Sequence, residues 1–427
     1  MSGRILMAAD FYPPFLGGLE RQAQLLSREL VGRGHAVSMA TVWHQGLAAQ
    51  EDDQGVRVYR LKGLTTAVPW FSTVPGRRYH PPFPDPAIVW QLRRLIRRLE
   101  PDVVHAHGWI SYSCAAALLG RKIPLLISAH DYGYGCAVRI LLRRGEICTG
   151  PAPLKCLACA SRTQGIGKGA AAVTGVFSGR RLLRRKAAAV HSVSRFVQRF
   201  IEQHLLDQRQ SSVLIPDIGT ASGALDRAGL PSSAASAIRR LPTEPYILYV
   251  GGLTAAKGLG LLLAAYQQLP APPPLVLIGT LWPDTPREFP PGVTVLPNLP
   301  HPDVIAAWAG SLFGVQPSLC AETFGIAIVE AMSQGKAVVA SRVGGVVDVV
   351  VDGKTGMLFP PGDSPALAQA MRRLIDDREL RERLGRAAQA RADLFAASAV
   401  VPRFEALYDQ LAQGSIRREM RTASSRP

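Results

Sequence analysis

The first half of the chain alternates short apolar runs with longer segments whose apolar residues recur every three or four positions. Short apolar runs are typical of buried strands, and the longer period is typical of helices. The predicted strands are Arg4–Ala9, Ala36–Val42, Val56–Leu61, Val103–His107, Leu125–Ala129, Ala189–Ser192 and Ser212–Ile215. The predicted helices are Leu19–Arg33, Ala87–Leu99, Ser113–Leu119 and Arg195–His204. This alternation predicts a parallel sheet that is covered by helices on both faces.

The second half repeats the alternation. Its predicted strands are Tyr246–Val250, Leu275–Ile278, Val293–Leu296, Gly314–Gln316 and Ala337–Ser341. Its predicted helices are Leu259–Gln268, Pro302–Ala309, Gly325–Gln334, Ser364–Asp376 and Glu379–Leu394. Each half opens with a buried strand, a glycine-bearing loop and a helix, so we expect an α/β protein with two Rossmann-like β/α/β domains. Open sheets of this kind bind ligands at the carboxyl ends of their strands, and two of them facing each other would form a central cleft.

The chain therefore divides into segments of different character. We predict an N-terminal domain at 1–215, a connection at 216–245, a C-terminal domain at 246–395, a helix at 396–413 that crosses back to the N-terminal domain, and a disordered basic tail at 414–427. Within the N-terminal domain, 132–181 lacks a clear period and is rich in Gly, Arg and Cys. Long excursions of this kind usually serve a site.

Charge narrows the range of partners. The 427 residues carry a formal net charge of +17, which favours nucleotides, anionic lipid or nucleic acid as ligands. Basic clusters lie at 92–99, where arginines oppose an apolar helical face, and at 180–186. Such clusters suit either an anionic membrane surface or a solvated helix face. No nucleic-acid motif with interleaved aromatics is visible, so nucleic acid is not an expected partner.

The N-terminal residues bear on location. The apolar run before Asp10 is five residues long, too short for a signal peptide, and no 18-residue apolar stretch occurs in the sequence. We expect a cytoplasmic protein, with the inner face of the plasma membrane as a peripheral location. In that reducing compartment the six cysteines would be thiols or metal ligands rather than disulfides.

The segment Pro317–Gly345 carries the strongest chemical signal. Glu322 and Glu330 are eight residues apart, about 12 Å along a helix at ~1.5 Å per residue. That separation is too large for the paired carboxylates of a hydrolase, so the two should grip different parts of one long ligand. Gly325 is expected to open the helix between them.

Anion-binding groups surround these glutamates. The amides of Phe324, Gly325 and Ile326 would point at a ligand from the helix N-terminus, which favours anions such as a sugar diphosphate. Lys257 precedes another helix N-terminus, where a cation is unfavourable unless an anion offsets it. In the first half, the backbone of Gly17 and Gly18 can approach a phosphate or sugar at a helix start.

Histidines end two strands of the first half. His107 and His130 would point from adjacent strand ends toward the ligand and donate hydrogen bonds to a sugar or leaving phosphate. His105 shares the pattern and is expected to be a core residue with its hydrogen bonds satisfied.

The segment Pro317–Gly345 resembles the E-x7-E signature of the family 4 retaining glycosyltransferases, which have the GT-B fold. Val350–Asp363, DVVHAHGW and ISAHDY are also similar to segments of that family. The resemblance implies that Glu322 holds hydroxyls of the transferred sugar, Glu330 holds the ribose hydroxyls, and the amides between them hold sugar and phosphate.

The same resemblance assigns further roles. It implies that Lys257 binds the donor diphosphate, that the Gly17–Gly18 loop contacts the donor, and that one of His107 and His130 lies near the anomeric carbon. Together with Glu322 these residues are the catalytic candidates. The chain departs from the family at Gly252, where an arginine is expected beside the lysine.

Four cysteines fall within the excursion. Cys156 and Cys159 supply a C-x-x-C pair, and Cys136 and Cys148 precede them, so a structural zinc site, an iron–sulfur cluster or four reduced thiols are the open interpretations. Some members of the resembling family carry a similar cysteine-bearing segment.

The expected function is transfer of a hexose-type sugar from a nucleotide-diphosphate sugar to a glycan or lipid-linked hydroxyl. The resemblance implies retention by front-face substitution, with no cofactor required for catalysis. The alternatives are an epimerase or phosphorylase of the same fold and a non-catalytic sugar-nucleotide-binding protein. A dehydrogenase is disfavoured because no G-x-G-x-x-G follows either opening strand. The donor base, the sugar and the acceptor stay open.

Overall fold

A computed structural model describes residues 2–15, 17–64, 79–207, 212–219 and 240–414. The chain forms two compact units. The first comprises Met1–Leu141, Thr149–Ile218 and Val400–Pro427, and the second comprises Leu142–Cys148 and Gly219–Ala399. Most of the predicted connection, at 220–239, and nearly all of the predicted tail, at 415–427, lie outside the described residues.

The strands occur in the predicted alternation with helices. They are β1 (Arg4–Ala9), β2 (Ala36–Val42), β3 (Gln50–Asp53), β4 (Val56–Leu61), β5 (Val103–His107), β6 (Leu125–Ala129), β7 (Leu142–Arg143), β8 (Glu146–Ile147), β9 (Ala187–Ser192), β10 (Val213–Leu214), β11 (Tyr246–Val250), β12 (Leu275–Gly279), β13 (Val293–Pro297), β14 (Ser311–Gln316), β15 (Val338–Ser341) and β16 (Met357–Phe359). β7 and β8 form a short antiparallel hairpin of their own.

The helices that connect these strands vary in length from one turn to six. They are α1 (Gly18–Gly32), α2 (Pro86–Leu99), α3 (Ile110–Ala117), α4 (Pro153–Gln164), α5 (Ile166–Lys186), α6 (Arg195–His204), α7 (Leu259–Gln267), α8 (His301–Gly310), α9 (Ile326–Ser333), α10 (Val346–Val349), α11 (Ser364–Asp376), α12 (Arg378–Ala392) and α13 (Ala397–Ala412).

The first unit is built on a sheet with strand order β10-β9-β6-β5-β1-β2-β4-β3. All its neighbouring strands are parallel except β3, which runs antiparallel to β4 at the edge. The central strands β1, β5 and β6 are buried along almost their whole length. The chain continues from β1 to β2 on one side and returns to β5 on the other, so the ends of β1 and β5 mark the ligand crevice of such a sheet.

The second unit contains a parallel sheet with strand order β13-β12-β11-β14-β15-β16. This is the order of a dinucleotide-binding Rossmann sheet, with its reversal between β11 and β14. Ile247, Leu277, Phe313 and Val339 contribute to a single apolar core beneath it. The prediction of two Rossmann-like α/β domains is confirmed.

Local capping explains why several helices start at, or within one residue of, the predicted position. The Asp85 carboxylate accepts hydrogen bonds from the amides of Ala87 and Ile88 at 3.0 and 3.2 Å, and Pro86 occupies the first helical position of α2. Both are signals that a sequence can show. By contrast, α3 begins three residues earlier than predicted because Asp10, a hundred residues away, accepts from the amides of Trp109 and Ile110.

The segment 132–181, which lacks a clear period in the sequence, contains α4 and most of α5. Glycine lowers helix propensity, yet here it allows close packing. A Cβ at Gly169 would lie 2.6 Å from the backbone carbon of Ala160, and one at Gly179 would lie 2.3 Å from a ring carbon of Tyr112. Tertiary packing therefore outweighs the low helix propensity of this glycine-rich segment.

Helix α13 is one residue shorter at each end than the helix predicted at 396–413. The hydroxyl of Tyr408 lies 2.8 Å from Nδ1 of His105, and Glu405 lies within 3.2 Å of both Arg33 and His35. The part of α13 from Val400 onward is thus tied to the first unit. Among the described helices, none combines the length and apolar content that crossing a bilayer requires.

Candidate functional site

Two loops meet at the strand-order reversal of the second sheet. Gly258 ends the loop after β11 with φ +77°, and a Cβ there would lie 1.8 Å from the carbonyl oxygen of Pro317, in the loop after β14. The amides of Leu319 and Cys320 donate to the carbonyl of Ala256 at 3.0 and 3.1 Å. Only a residue without a side chain allows the two loops to approach this closely.

Lys257 and Glu322 form an ion pair between these loops. The Lys257 ammonium lies 2.7 and 2.8 Å from the two carboxylate oxygens of Glu322, and the hydroxyl of Ser318 donates to the same carboxylate. Burial lowers the pKa of Lys257, but the Glu322 carboxylate outweighs it and raises that pKa above its ordinary value. Lys257 is therefore a cation at neutral pH, held where the loops converge.

The backbone around Glu322 is also fixed from the strand-end loop after β15. Gly345 donates its amide to the carbonyl of Glu322 at 2.7 Å, and a Cβ at Gly344 would lie 2.0 Å from that carbonyl. Sequence reasoning identified Glu322 but not these glycines as its supports. Their position inside a VGG run was the available signal.

Gly325 is the N-cap of α9, with φ +106°, and the helix begins at Ile326. The first amides of a helix have no carbonyl partner within the helix. Since Phe324 and Gly325 directly precede Ile326, their amides stand at this end, where the helix dipole favours negative charge. The predicted anion-binding residues thus surround one helix terminus.

Glu330 lies inside α9 and is 4% exposed. Nε2 of His301, the first residue of α8, lies 3.1 Å from its carboxylate. His301 is a third exposed at its side chain, so this pair reaches the surface of the unit. His301 was not predicted as a site residue, because it is 29 residues from Glu330 and belongs to no motif.

The departure at Gly252 has a structural counterpart. A Cβ at Gly252 would lie 3.2 Å from the indole nitrogen of Trp282, which follows β12. The carbonyl of Gly252 accepts a hydrogen bond from the hydroxyl of Tyr249 at 2.8 Å. The expected arginine position is therefore a glycine covered by an aromatic ring.

In the first unit, a buried carboxylate stands at the end of β1. Asp10 accepts from the amides of Trp109 and Ile110 at 3.1 and 2.7 Å and lies 3.4 Å from the guanidinium of Arg139. Burial raises the pKa of Asp10 to about 6, against the opposing effect of Arg139. Arg139 also bonds Asp131 at 2.7 and 2.5 Å. Sequence reasoning missed this cluster, because Arg139 lies in the aperiodic excursion.

The histidines at the ends of β5 and β6 contact each other. Nδ1 of His107 lies 2.9 Å from Nε2 of His130, and Nδ1 of His130 lies 3.0 Å from a carboxylate oxygen of Asp217. Burial, together with neighbouring His105 and His130, lowers the pKa of His107 well below its ordinary value. His107 is therefore a neutral imidazole, and its Nε2 is buried with no hydrogen-bond partner in the described part of the chain.

His105 is a buried residue with both nitrogens engaged, as the sequence predicted. Its Nδ1 lies 2.8 Å from the hydroxyl of Tyr408 and its Nε2 lies 2.6 Å from that of Ser128. Ser128 also bonds His191 at 2.7 Å.

The remaining predicted residues are two glycines and four cysteines of the first half of the chain. Gly17 is the N-cap of α1, whose first residue is Gly18, and a Cβ at Gly17 would lie 2.1 Å from a carboxylate oxygen of Glu20. Cys156 and Cys159 lie in α4. Within the described ranges no group of three or more His, Cys, Asp or Glu side chains is arranged to hold a metal ion. The zinc site involving Cys136 and Cys148 stays a prediction.

Two family models match consecutive parts of the chain. Residues 17–217 match the glycosyl transferase 4-like domain, and residues 234–391 match the glycosyl transferases group 1. Together they include the histidine cluster of the first unit and all the glutamates and loops described in the second.

Known proteins agree with these matches. The sulfoquinovosyl transferase SQD2 of Arabidopsis thaliana is 35% identical over 159 residues, which are 36% of this chain and 31% of that protein. The match thus spans about a third of that relative's length. The glycogen synthase of Mycobacterium tuberculosis is 25% identical over 426 residues, with 91% of this chain and 90% of that protein covered.

Solved structures extend the likeness to the whole fold. Sucrose-phosphate synthase from Thermosynechococcus elongatus superposes with a TM-score of 0.74 at 22% identity, covering 97% of this chain and 100% of that one. HepE from Anabaena, solved with UDP and glucose, superposes with a TM-score of 0.67 at 17% identity, covering 96% and 100%.

Two Rossmann-like units, together with the similarity to these solved glycosyltransferase structures, define the GT-B class of glycosyltransferases. The chain is an enzyme of this class. More narrowly, it belongs to the group 1 glycosyltransferases, family 4, as the E-x7-E resemblance implied.

Proposed function

We propose that this enzyme transfers a hexose-type sugar from a nucleotide-diphosphate donor to a hydroxyl of a glycan or lipid-linked acceptor, with retention of anomeric configuration. The observation that carries the proposal is the Lys257–Glu322 pair, 2.7 Å apart, at the loops that adjoin the N-terminus of α9. A cation and a helix N-terminus match the anionic phosphates of a sugar diphosphate, and a buried carboxylate matches its sugar hydroxyls.

The donor is assigned to the second unit. In the proposal, Lys257 and the amides of Phe324, Gly325 and Ile326 take the diphosphate, while Glu322 accepts hydrogen bonds from sugar hydroxyls. Glu330, held by His301 at 3.1 Å, accepts from the ribose hydroxyls. The complexes of HepE with UDP and glucose and of starch synthase IV from Arabidopsis thaliana with ADP and acarbose support a nucleotide donor.

The proposed reaction is a front-face substitution. The bond between the anomeric carbon and the donor phosphate breaks, the acceptor oxygen bonds to that carbon on the same face, and the acceptor proton passes to the leaving phosphate. Lys257 and the helix amides stabilise the charge that develops on that phosphate. No carboxylate nucleophile and no metal ion are required for this path.

The first unit is assigned to acceptor handling and to part of the sugar. His107 is a neutral imidazole with a buried, unpartnered Nε2, so it can donate or accept one hydrogen bond without a change of charge. His130 and the Gly17–Gly18 loop complete this proposed group. The excess of positive charge, +17 over the whole chain, supports a cytoplasmic enzyme at the inner face of the plasma membrane.

The donor assignment is tested by thermal stabilisation with a panel of nucleotides and nucleotide sugars in EDTA. Binding at 100 times Kd adds about 2.7 kcal/mol to the free energy of unfolding, and we expect one nucleotide family to produce it. Glu330→Ala should abolish the effect, while Glu382→Ala, at an exposed position of α12, should leave it intact.

Other outcomes contradict the proposal in distinct ways. Stabilisation by no member of the panel would remove the donor assignment. Release of free sugar, epimerised donor or sugar phosphate without any acceptor would assign an epimerase or phosphorylase of the same fold instead. Dependence of turnover on Mg²⁺ would contradict the metal-free mechanism.

A further inference from the structure

Helices α4 and α5 form a hairpin that stands on the first unit. The inner face of α5 packs through glycines: a Cβ at Gly175 would lie 2.9 Å from Pro82, and one at Gly179 would lie 2.3 Å from Tyr112. Helix α4 in turn crosses α5 where Gly169 meets Ala160. Because α4 packs mainly on α5, its opposite face is turned away from the unit.

That outer face is apolar. Leu154 is 83% exposed and Leu157 is 39% exposed, and their spacing of three residues places them on one side of α4. Ile166, the first residue of α5, is 81% exposed. Single exposed aliphatic residues are common on protein surfaces, so these three count as evidence only together with the charge of the same hairpin.

The same hairpin is strongly basic. Residues 153–186 contain no Asp or Glu, whereas they contain eight Lys or Arg residues: Lys155, Arg162, Lys168, Arg180, Arg181, Arg184, Arg185 and Lys186. Some of these cations bind other parts of the first unit; for example, Arg180 donates to the carbonyl of His204 at 3.2 Å. Arg162, Arg181 and Arg185 are exposed and leave the hairpin with a positive field.

We propose that the α4–α5 hairpin docks the enzyme on an anionic lipid surface, with Leu154, Leu157 and Ile166 entering the headgroup boundary. Exposed aliphatic residues and exposed cations on the same helix hairpin are the combination that such surfaces bind. A second copy of this chain fits less well, because a symmetric contact through this face would bring two sets of cations together. Exposed aromatic residues for stacking on bases are lacking on the described hairpin face, so nucleic acid is disfavoured.

This inference rests on the proposed function through the lipid-linked acceptor, which such docking would bring to the first unit. It also assigns the membrane contact to the excursion rather than to the arginine face of α2. There, Trp90 is 57% exposed, and the guanidinium of Arg94 lies 4.7 Å from the centre of its ring.

The test is flotation of the full chain with vesicles of phosphatidylglycerol and phosphatidylcholine, compared with phosphatidylcholine alone. We expect binding to the anionic vesicles that weakens as salt rises from about 0.05 to about 0.5 M. The variant Leu154→Asp/Ile166→Asp should lower the partition coefficient by ~10-fold or more. Both positions lie in the first turn of a helix, where a carboxylate is favourable, so the hairpin should remain folded.

A matched control is Leu394→Asp, since Leu394 is 58% exposed in the other unit; it should bind vesicles as the wild type does. A wild type that ignores anionic vesicles, or a double variant that binds them equally well, would overturn the proposal. So would a wild-type dimer that the double variant converts to monomer without any vesicle binding. Thermal stabilisation by nucleotides, measured in parallel, reports on the donor site independently of vesicle binding. Failure of the membrane proposal can therefore be distinguished from failure of the proposed function.

Discussion

Acidification from pH 7 to 5.5 is expected to destabilise the first unit. His80 and His191 are fully buried there, and burial lowers the pKa of each to about 4. Burial is the cause that favours the neutral form, and it outweighs the carbonyls of Pro81 and Ile215, which accept from His80 and His191 and raise their pKa values. In the unfolded chain both histidines are exposed to water, and their pKa values are the ordinary 6.5.

The direction and magnitude of this change in the free energy of unfolding follow from proton linkage. Because the folded pKa of each histidine is lower than the ordinary 6.5, its stabilising contribution is complete above pH 6.5 and is lost as pH falls toward about 4. Between pH 7 and 5.5 each of His80 and His191 costs about 1.2 kcal/mol. Asp10, with a pKa raised to about 6, acts oppositely and regains about 0.8 kcal/mol. The net loss is about 1.6 kcal/mol, and His105 and His107, whose pKa values are also well below the ordinary value, add to it.

The assay is hydrogen exchange read by mass spectrometry on peptides from β5, β6 and β9, at both pH values and corrected for intrinsic exchange rates. Exchange by global opening gives the free energy of unfolding of this unit separately from the other. His191→Gln should reduce the pH dependence by about 1.2 kcal/mol. A free energy that stays constant or rises on acidification would refute the assignment of neutral buried histidines.

Three further changes test the sites directly. Lys257→Met should weaken binding of the complete nucleotide-sugar donor ~10–100-fold by calorimetry, because a charge-assisted hydrogen bond to the diphosphate is lost; an unchanged Kd would refute its role. Asp217→Asn should lower kcat ~10-fold or more with donor Kd unchanged, since His130 loses the carboxylate that orients it; equal changes in both would indicate a structural role instead. Gly258→Ala should lower the melting temperature by about 5 °C, because its Cβ would lie 1.8 Å from the carbonyl of Pro317; a normal melting temperature would show that the loops can move apart.

Periodicity sufficed for the central strands of both sheets because these strands are buried and bounded by local signals. β2, β4, β5 and β11 have the predicted bounds, and α11 begins where Asp363 accepts from the amide of Ala366. The exceptions show what periodicity omits. β3 reads as polar sequence, QEDD, and pairs only with its neighbour at the sheet edge, so no apolar alternation announces it.

The candidate site was predictable as residues but not as contacts. Glu322, Glu330 and Lys257 could be identified from motif and helix position, whereas the Lys257–Glu322 pair joins residues 65 positions apart. Asp217 lies in a segment that reads as a connection, and only the sheet order brings it to His130. The order of strands in the sheet decides which residues distant in sequence come into contact. The pattern of apolar and polar residues in one sequence predicts that order only coarsely.

The Lys257–Glu322 pair changes the interpretation of Gly252. From the sequence alone, a lysine without its neighbouring arginine indicates weaker binding of the donor phosphate. In the structure, however, Lys257 is already oriented by a buried carboxylate, so little side-chain entropy remains to be lost when an anion arrives. The same carboxylate competes with that anion, and the donor must supply hydroxyls to satisfy Glu322 as the lysine turns to phosphate. Phosphate and sugar recognition are thereby coupled: a nucleotide diphosphate lacking its sugar leaves Glu322 to retain the lysine, whereas the complete donor satisfies both residues.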